Sequence, residues 1–598
     1  MAPRSAFLAS ATAIVVIVLV APPANAVPTA PPKDPIAIGS GGAVSSVDPY
    51  ATEIGLKVLQ GGGNAVDAAV ATAAALGVTE PYSAGVGGGG FFVYYDARSR
   101  TVHTIDGRET APEAMAENSF VDPATGQPMP FAEAVTSGLS VGVPGTPATW
   151  ELALGRWGSI DLKEALRRAA QLAQQGFVVD ETFQQQTAAN AARFAAFTST
   201  RELFLPGGAP PEVGSVLRNP DLARTYTLLG ALGTDYLYEG RLGQDIVATV
   251  MQPPVVQGST LNVRRGLMEE SDLAEYRALL REPTLIDYRG LTVAGMAPPS
   301  SGGSTVGEAL NILESSDLAG LDRSEALHRY LEATALAFAD RNRYVGDPDI
   351  VDVPLTELLS QGFADERACL IGAMAAAKPV PPGTPDGAYA PCAAAAANAA
   401  AAGDAGGLST THLTTWDRWG NVVAYTLTIE QTGGSGIVVP SRGFLLNNEL
   451  TDFNFTPTQG TAPDPNLPAP GKRPRSSMSP TIVLDDGAPV LAIGSPGGSM
   501  IITTVAQTLL NRLDFGMPLL DAVAAPRASQ RNTAAVSAEP AFITTWQTAL
   551  SARGHGFVSV AEIGAVTAIE QRDDGQLGAV AEPVRRGGGD AGVVLPEP

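Results

Sequence analysis

The segment Leu408-Ser409-Thr410-Thr411-His412-Leu413-Thr414 joins a low-complexity tract to a run of strand-forming residues. A loose tract that ends abruptly at Thr-Thr before a core strand is what self-cleavage between Ser409 and Thr410 requires. The cut would give Thr410 a free α-amine. Such an amine has a pKa of about 7.7–8.0, so near neutral pH it can take the proton of the adjacent hydroxyl. No histidine or aspartate partner is then needed, which suits a chain with only four histidines. By residue type alone, a threonine in such a run is more often an ordinary strand residue.

The other motif scans point away from chemistry. His103, His328, His412 and His555 have no zinc spacing. Gly85 to Gly90 satisfies G-x-G-x-x-G, but it precedes a strand, whereas a dinucleotide site follows a strand and opens a helix. Close backbone packing is the better reading. Gly138 to Gly142 satisfies G-x-S-x-G, but Pro144, Gly145 and Pro147 oppose the helix that a nucleophile elbow runs into.

The elements that must position a nucleophile are legible around it. Thr410 to Trp416 and Val422 to Ile429 form a predicted hairpin through Asp417-Arg418-Trp419-Gly420-Asn421. A second hairpin joins Thr481–Leu484 to Val490–Ile493 through Asp485-Asp486-Gly487, and Phe91–Tyr95 reads as a strand. One helix is expected from Asp48 to Gly61 and a second from Asn64 to near Gly77. A third runs from Asp161, with Glu164 completing a capping box, to Gly176. Further helices are expected at 305–315, 324–342 and 501–513. Residues 371–409, rich in Ala, Pro and Gly, read as a mobile linker.

Residues 1–26 read as an export signal: Arg4, an apolar run from Ala6 to Val20, then the small-x-small site Ala24-Asn25-Ala26. The run is shorter than the about 20 residues of a membrane helix, so no stable span is expected once the signal is removed. Cys369 and Cys392 are the two cysteines. In an exported chain an even count reads as a disulfide; the alternative is two unlinked buried thiols. The 598 residues are 45% hydrophobic, enough for a large core, with 65 Gly and 47 Pro marking many turns. A formal charge of −23 argues against nucleic acid as a partner, because phosphate binding needs clustered cations.

Motif segments in order along the chain carry a resemblance. They are Gly62–Ala69, Gly87–Phe91, Asp106–Pro112, Pro298–Gly303, Asp340–Pro348, Thr410–His412, Leu445–Asn448, Arg473–Pro480 and Gly494–Ser499. From about Ala43 onward the chain resembles the γ-glutamyltranspeptidases (γ-glutamyltransferases), members of the N-terminal nucleophile hydrolases. The resemblance implies an α+β fold, a four-layer αββα sandwich, from one precursor cut into subunits 27–409 and 410–598. It implies Thr410 as nucleophile in self-cleavage and turnover, Thr428 as the hydroxyl that orients it, and Gly497 and Gly498 as oxyanion-hole donors. It implies that Arg108, Ser476 and Ser477 hold a substrate α-carboxylate, and that Glu449 and Asp452 hold an α-ammonium. Glutathione or another γ-glutamyl compound would be the donor, and water, an amino acid or a peptide the acceptor. The chemistry needs no metal or cofactor.

Two positions depart from the family pattern. Glu430 stands where the family usually has an amine-binding Asn. With Glu449 and Asp452 it would place three carboxylates near one ammonium, which raises at least one carboxyl pKa or accepts a more cationic donor. The segment from Asn454 to Gly471, the expected lid, is Pro-rich and lacks Tyr, which would leave the site open. These departures keep a same-fold amidase on another acyl group in view, either a β-lactam acylase or a poly-γ-glutamate hydrolase. A non-catalytic exported binding protein is a third reading, opposed by intact Thr410, Thr428, Gly497 and Gly498.

Overall fold

The computed structural model describes residues 29–389 and 409–596. The expected signal 1–26, Cys392 and the part of the expected linker at 390–408 lie outside the described residues. Cys369 closes the helix Gln361–Ala368 and is not free, but its pairing with Cys392 falls outside that range too.

Two antiparallel sheets share one strand, Ile36–Ser46. Residues 36–39 of it pair with Leu577–Ala581, and residues 42–45 pair with Thr411–Asp417. The transition falls at Gly41 and Gly42, both at positive φ, where the register also shifts. Without a Cβ these residues take the bulge that carries the strand from one layer to the other. The first sheet continues from Thr411–Asp417 through Val422–Thr428, Gly89–Asp96 and Thr101–Gly107 to Leu279–Arg281. The second continues from Leu577–Ala581 through Thr567–Gln571, Ala488–Gly494, Thr481–Asp485 and Leu291–Gly295 to Thr284–Tyr288. Asp590–Pro596 pairs on the other side of the shared strand.

Helices cover both outer faces. Ala65–Thr79 and Thr146–Trp157 pack on the first sheet; Gly302–Glu314 and Met500–Leu513 pack on the second. The result is the expected αββα sandwich. Because both faces of each sheet are covered, the central strands Thr411–Asp417 and Val422–Thr428 are buried along their whole length. In Val422–Thr428, Val423, Tyr425 and Leu427 enter the core under the first helical layer. Val422 and Ala424 enter the core shared by the two sheets. Burying a side chain of this size contributes roughly 1.5–3 kcal/mol each.

The helix ends follow the capping signals, with two corrections. The helix expected to stop near Gly77 runs on to Thr79, because Gly77 is a packing residue: a Cβ there would meet the Tyr226 hydroxyl and the Gly85 backbone. The capping box expected at Asp161 is half formed. Asp161 accepts from the Glu164 N–H at 2.8 Å, but the Glu164 carboxylate turns to Arg167 at 2.7 and 2.8 Å. Both predicted hairpins form, as Thr411–Asp417 with Val422–Thr428 and Thr481–Asp485 with Ala488–Gly494. In the second, Asp486 and Gly487 both sit at positive φ, as a type I′ turn demands.

Residues 371–389 carry little regular structure yet are anchored. Ala375 N–H donates to the Arg553 carbonyl at 2.7 Å, and Lys378 pairs with Glu332 at 2.8 Å. Val380 N–H donates to Asn532 at 2.6 Å. Composition suggested mobility from residue 371; hydrogen bonds and an ion pair to distant residues, invisible to composition, hold the first part in place.

The two sheets meet tightly at His412. Burial lowers its pKa to about 3, so it is neutral, with Nδ1 at 2.7 Å from Thr426 Oγ1. A Cβ on Gly494, in the opposite sheet, would enter the imidazole ring. Gly494→Ala is therefore expected to destabilise the protein by roughly 1–3 kcal/mol, read as a lower denaturation midpoint at constant m-value. An unchanged midpoint would mean that the sheets have room to separate there.

Candidate active site

The hairpin brings the two threonines together. Its register pairs Leu427 with Thr411, which places Thr410 and Thr428 side by side at the end away from the turn. Thr410 Oγ1 donates to Thr428 Oγ1 at 3.2 Å, and Thr428 Oγ1 accepts the Glu430 N–H at 2.8 Å. Both threonines are buried. The loop at Gly87 and Gly88 presses on this end: a Cβ on Gly88 would strike the Thr428 carbonyl. That is the work of the glycine-rich segment, and it confirms the packing reading over a dinucleotide site.

Thr410 sits at φ 140. For a β-branched residue a positive φ is a genuine outlier, and such conformations cost of order 1–3 kcal/mol. Ser409, just before it, is buried and tied: its Oγ donates to the Tyr82 carbonyl at 2.7 Å and to Ser83 Oγ at 3.2 Å. The surroundings over-determine a strained backbone at the Ser409–Thr410 junction.

Across the same cleft lies Arg108, buried, with Nε on the Pro474 carbonyl at 3.0 Å. Its Nη1 is bonded to Glu449 Oε1 and its Nη2 to Asp452 Oδ2. Glu109 Oε2 lies 4.0 Å from Nη1. One guanidinium thus faces three carboxylates. Burial pushes the Glu449 carboxyl well above its ordinary range; Arg108 opposes this, and Glu109 and Asp452 add to it. Burial likewise lifts Glu109 to about 8, against the pull of Arg108. Among the described residues, neither Glu109 oxygen has a hydrogen-bond partner. The grouping of Glu430, Glu449 and Asp452 was expected to raise at least one carboxyl pKa, and Glu449 is raised; Glu109, outside that trio, is raised too.

Glu430 lines the cleft too, at φ 76. Its carboxylate accepts from Asn448 Nδ2 at 2.5 Å and from Gln431 Nε2 at 3.2 Å. Ser476 and Ser477 line the cleft; Ser477 Oγ accepts from Arg341 Nη2 at 2.8 Å. Gly498 and Ser499 line it from the loop ahead of Met500–Leu513, with Gly497 one residue behind. Gly497 and Gly498 sit at φ 136 and φ 56, and their carbonyls accept the Met500 and Ile501 N–H groups at 3.2 and 3.0 Å.

The cleft holds only about 30 Å³, room for a water or two. The ion cluster fills it. No residue from 454 to 471 is among those lining it. That segment folds on itself around Asp464, which accepts from Asn454 at 2.9 Å and from Thr458 at 2.7 and 2.8 Å.

Some positioning residues escaped the sequence reading. Asn447 donates to the Gly87 and Gly142 carbonyls at 2.7 and 2.9 Å and accepts the Glu449 N–H at 3.0 Å, tying the glycine loop to the acidic turn. Two consecutive asparagines after an apolar run were the available signal. Arg341 and Glu109 lay inside quoted motifs, but nothing in a linear motif shows what a side chain touches. Among the described residues, the fold also gathers His328, Glu332 and His555, though no spacing announces it. Their atoms are engaged: His328 bonds His555 at 2.8 Å and the Gly372 carbonyl at 2.9 Å, and Glu332 holds Lys378.

A four-layer αββα sandwich with a threonine at the head of a central strand, its hydroxyl bonded to a neighbouring strand's, defines an N-terminal nucleophile hydrolase, and the chain is an enzyme of that class. A family model described as Gamma-glutamyltranspeptidase matches residues 51–592. The chain belongs to the γ-glutamyltranspeptidase family. It is 38% identical over 587 residues to a glutathione hydrolase proenzyme of Bacillus subtilis (strain 168), covering 96% of this chain and 97% of that one. It is 35% identical over 554 residues to the Acylase ACY 1 proenzyme of Pseudomonas sp. (strain V22), covering 91% and 92%. The crystal structure of cephalosporin acylase from Bacillus halodurans is similar with a TM-score of 0.80 at 29% identity, covering 96% of this chain and 99% of that one. Among the described residues, no helix is long and apolar enough to cross a membrane.

The Glu109 shift has a sign that can be measured. Its carboxyl binds a proton more tightly in the folded chain (about 8) than at its ordinary value of 4.5. The folded state therefore holds more protons between those values, and stability falls as pH rises through them. Glu109→Gln cannot titrate. Its gain in melting temperature over the parent is expected to be larger at about pH 9 than at about pH 5; equal gains at both would contradict the assignment.

Proposed function

We propose that the protein is exported and cuts itself before Thr410, and that the mature enzyme cleaves γ-glutamyl amides such as glutathione through a γ-glutamyl ester on Thr410. The observation that carries this is one cleft with a strained, hydroxyl-paired Thr410 on one side and a buried Arg–carboxylate cluster on the other. A γ-glutamyl donor has an α-carboxylate and an α-ammonium at one end and an amide several bonds away. Arg108 can exchange its carboxylates for the substrate's. Glu449 and Asp452 can exchange the guanidinium for the ammonium. The exchange conserves charge in a site too buried to tolerate a net change. Hydrogen bonds to charged groups contribute about 1.5–3 kcal/mol each, enough for orientation and specificity.

Self-cleavage begins when Thr410 Oγ attacks the Ser409 carbonyl carbon. The C–N bond breaks, the nitrogen takes the hydroxyl proton, and an ester joins Ser409 to Thr410 Oγ. Water then hydrolyses the ester, leaving the Ser409 carboxylate and a Thr410 with free hydroxyl and α-amine. The φ 140 conformation at Thr410 supports this step, since strain in the precursor lowers the barrier to breaking that bond. In turnover the α-amine takes the Thr410 hydroxyl proton as Oγ attacks the γ-carbonyl. The oxyanion forms against the Gly497 and Gly498 N–H groups. The leaving amine takes the proton, and the γ-glutamyl ester passes to water, an amino acid or a peptide. No metal or cofactor enters. The small-molecule substrate meets a site built from both subunits of one precursor, 27–409 and 410–598.

A second reading, an acylase on another acyl group, is favoured by the absence of residues 454–471 from the cleft and by the acylase names of two relatives. Rates on γ-glutamyl-p-nitroanilide are expected to exceed those on a glutaryl anilide or poly-γ-glutamate; the reverse order would select that reading.

Processing gives the direct test. A denaturing gel of purified protein is expected to show two bands, with Thr410 as the N-terminus of the smaller. Thr410→Ala is expected to stay one chain and to lose turnover by a factor of at least about 10³. A single uncut parent chain after long incubation, or a new N-terminus elsewhere, would refute the proposal.

A further inference from the structure

Arg586 lies in the loop between Leu577–Ala581 and Asp590–Pro596, far along the chain from the nucleophile, yet its Nη1 donates to the Thr410 carbonyl at 2.7 Å. Its Nη2 donates to Ser83 Oγ at 3.0 Å and lies 3.5 Å from Glu80 Oε2. Ser83 Oγ also takes the Ser409 hydroxyl at 3.2 Å. A single guanidinium therefore holds both sides of the Ser409–Thr410 bond, Thr410 directly and Ser409 through Ser83.

The loop is built to aim it. Arg586, Gly587 and Gly588 sit at φ 53, 70 and 80, a run of left-handed residues in which only the first carries a side chain. Its N–H donates to Glu562 at 3.1 Å, and its carbonyl accepts from Thr182 Oγ1 at 3.3 Å. A non-glycine residue in this region is uncommon and needs its surroundings to hold it there.

We infer that Arg586 is a positioning residue for Thr410 in both self-cleavage and turnover, resting on the reading of Thr410 as nucleophile. The carbonyl it holds is downstream of the cut and survives it, so the same restraint serves both reactions. By pinning the Thr410 carbonyl it keeps the residue in its strained conformation, with Oγ1 beside Thr428. It touches no substrate. Its loss acts on the placement of the nucleophile and so on the rate of the chemical step, not on binding of the donor's charged end at Arg108.

The test measures Arg586→Ala and Arg586→Lys in the full chain. Arg586→Ala is expected to fold, by circular dichroism, and to process at least roughly tenfold more slowly than the parent. Once cut, it is expected to show a similar loss in kcat on γ-glutamyl-p-nitroanilide at nearly constant KM. Arg586→Lys keeps a cationic donor and is expected to recover much of both rates. Processing and kcat at parental rates in Arg586→Ala would overturn the inference, as would a change confined to KM. So would a folded Arg586→Lys no faster than a folded Arg586→Ala. If Arg586→Ala does not accumulate, Ser83→Ala decides, since Ser83 links the guanidinium to Ser409: slowed processing supports the role, and a parental rate overturns it. An uncut parent chain would instead defeat the reading of Thr410 itself.

Discussion

Pairing between Thr411–Asp417 and Val422–Thr428 is the constraint on which the rest depends. Its register sets Thr410 beside Thr428 and gives their hydroxyls a shared bond of 3.2 Å. A slip of one residue would turn every side chain to the opposite face. Such a slip would move Val423, Tyr425 and Leu427 out of the helix-side core and His412 out of its slot between the sheets. The apolar burial that stabilises the sandwich thus also fixes Thr410 against Thr428, through the same hydrogen-bond ladder.

A second constraint is electrostatic. Arg108, Glu109, Glu449 and Asp452 are gathered where little water can enter, and one cation meets three acids. Burial in a poor solvent for charge is the main reason that the Glu109 and Glu449 carboxyls hold their protons more tightly, with neighbouring carboxylates adding to it and Arg108 opposing it. The cluster is stable alone because its charges satisfy one another. On the proposed function, a zwitterionic donor would replace both signs at once.

Local signals were readable where they are local in physics. Asp48, Asn64 and Asp161 cap helices because a short side chain reaches an N–H three residues on. Asp486-Gly487 turns a hairpin because both residues accept positive φ. The same reasoning failed where a distant group intervened. Gly77 is not a helix stop because Tyr226 needs its empty side. Residues 371–389 are held because Arg553, Glu332 and Asn532 bond to them. Of the site, Thr410, Thr428, Arg108 and the acidic turn were legible through the family resemblance; the roles of Asn447, though it lies in a motif segment, and of Arg586 were not, because they are contacts made across hundreds of residues.

The sequence by itself, through motif segments shared with a family, determined the family and the sandwich class and put forward Thr410 as the nucleophile, the junction before it as the cut and the residues expected to face a substrate. Only the tertiary structure decided that Arg108 is held by Glu449 and Asp452, that Glu109 joins them, that Glu430 turns to Asn448, and that residues 454–471 stay off the cleft. The reason is physical. Burial, desolvation and hydrogen-bond choice depend on what folding brings within a few ångströms, and spacing along a chain does not encode that distance.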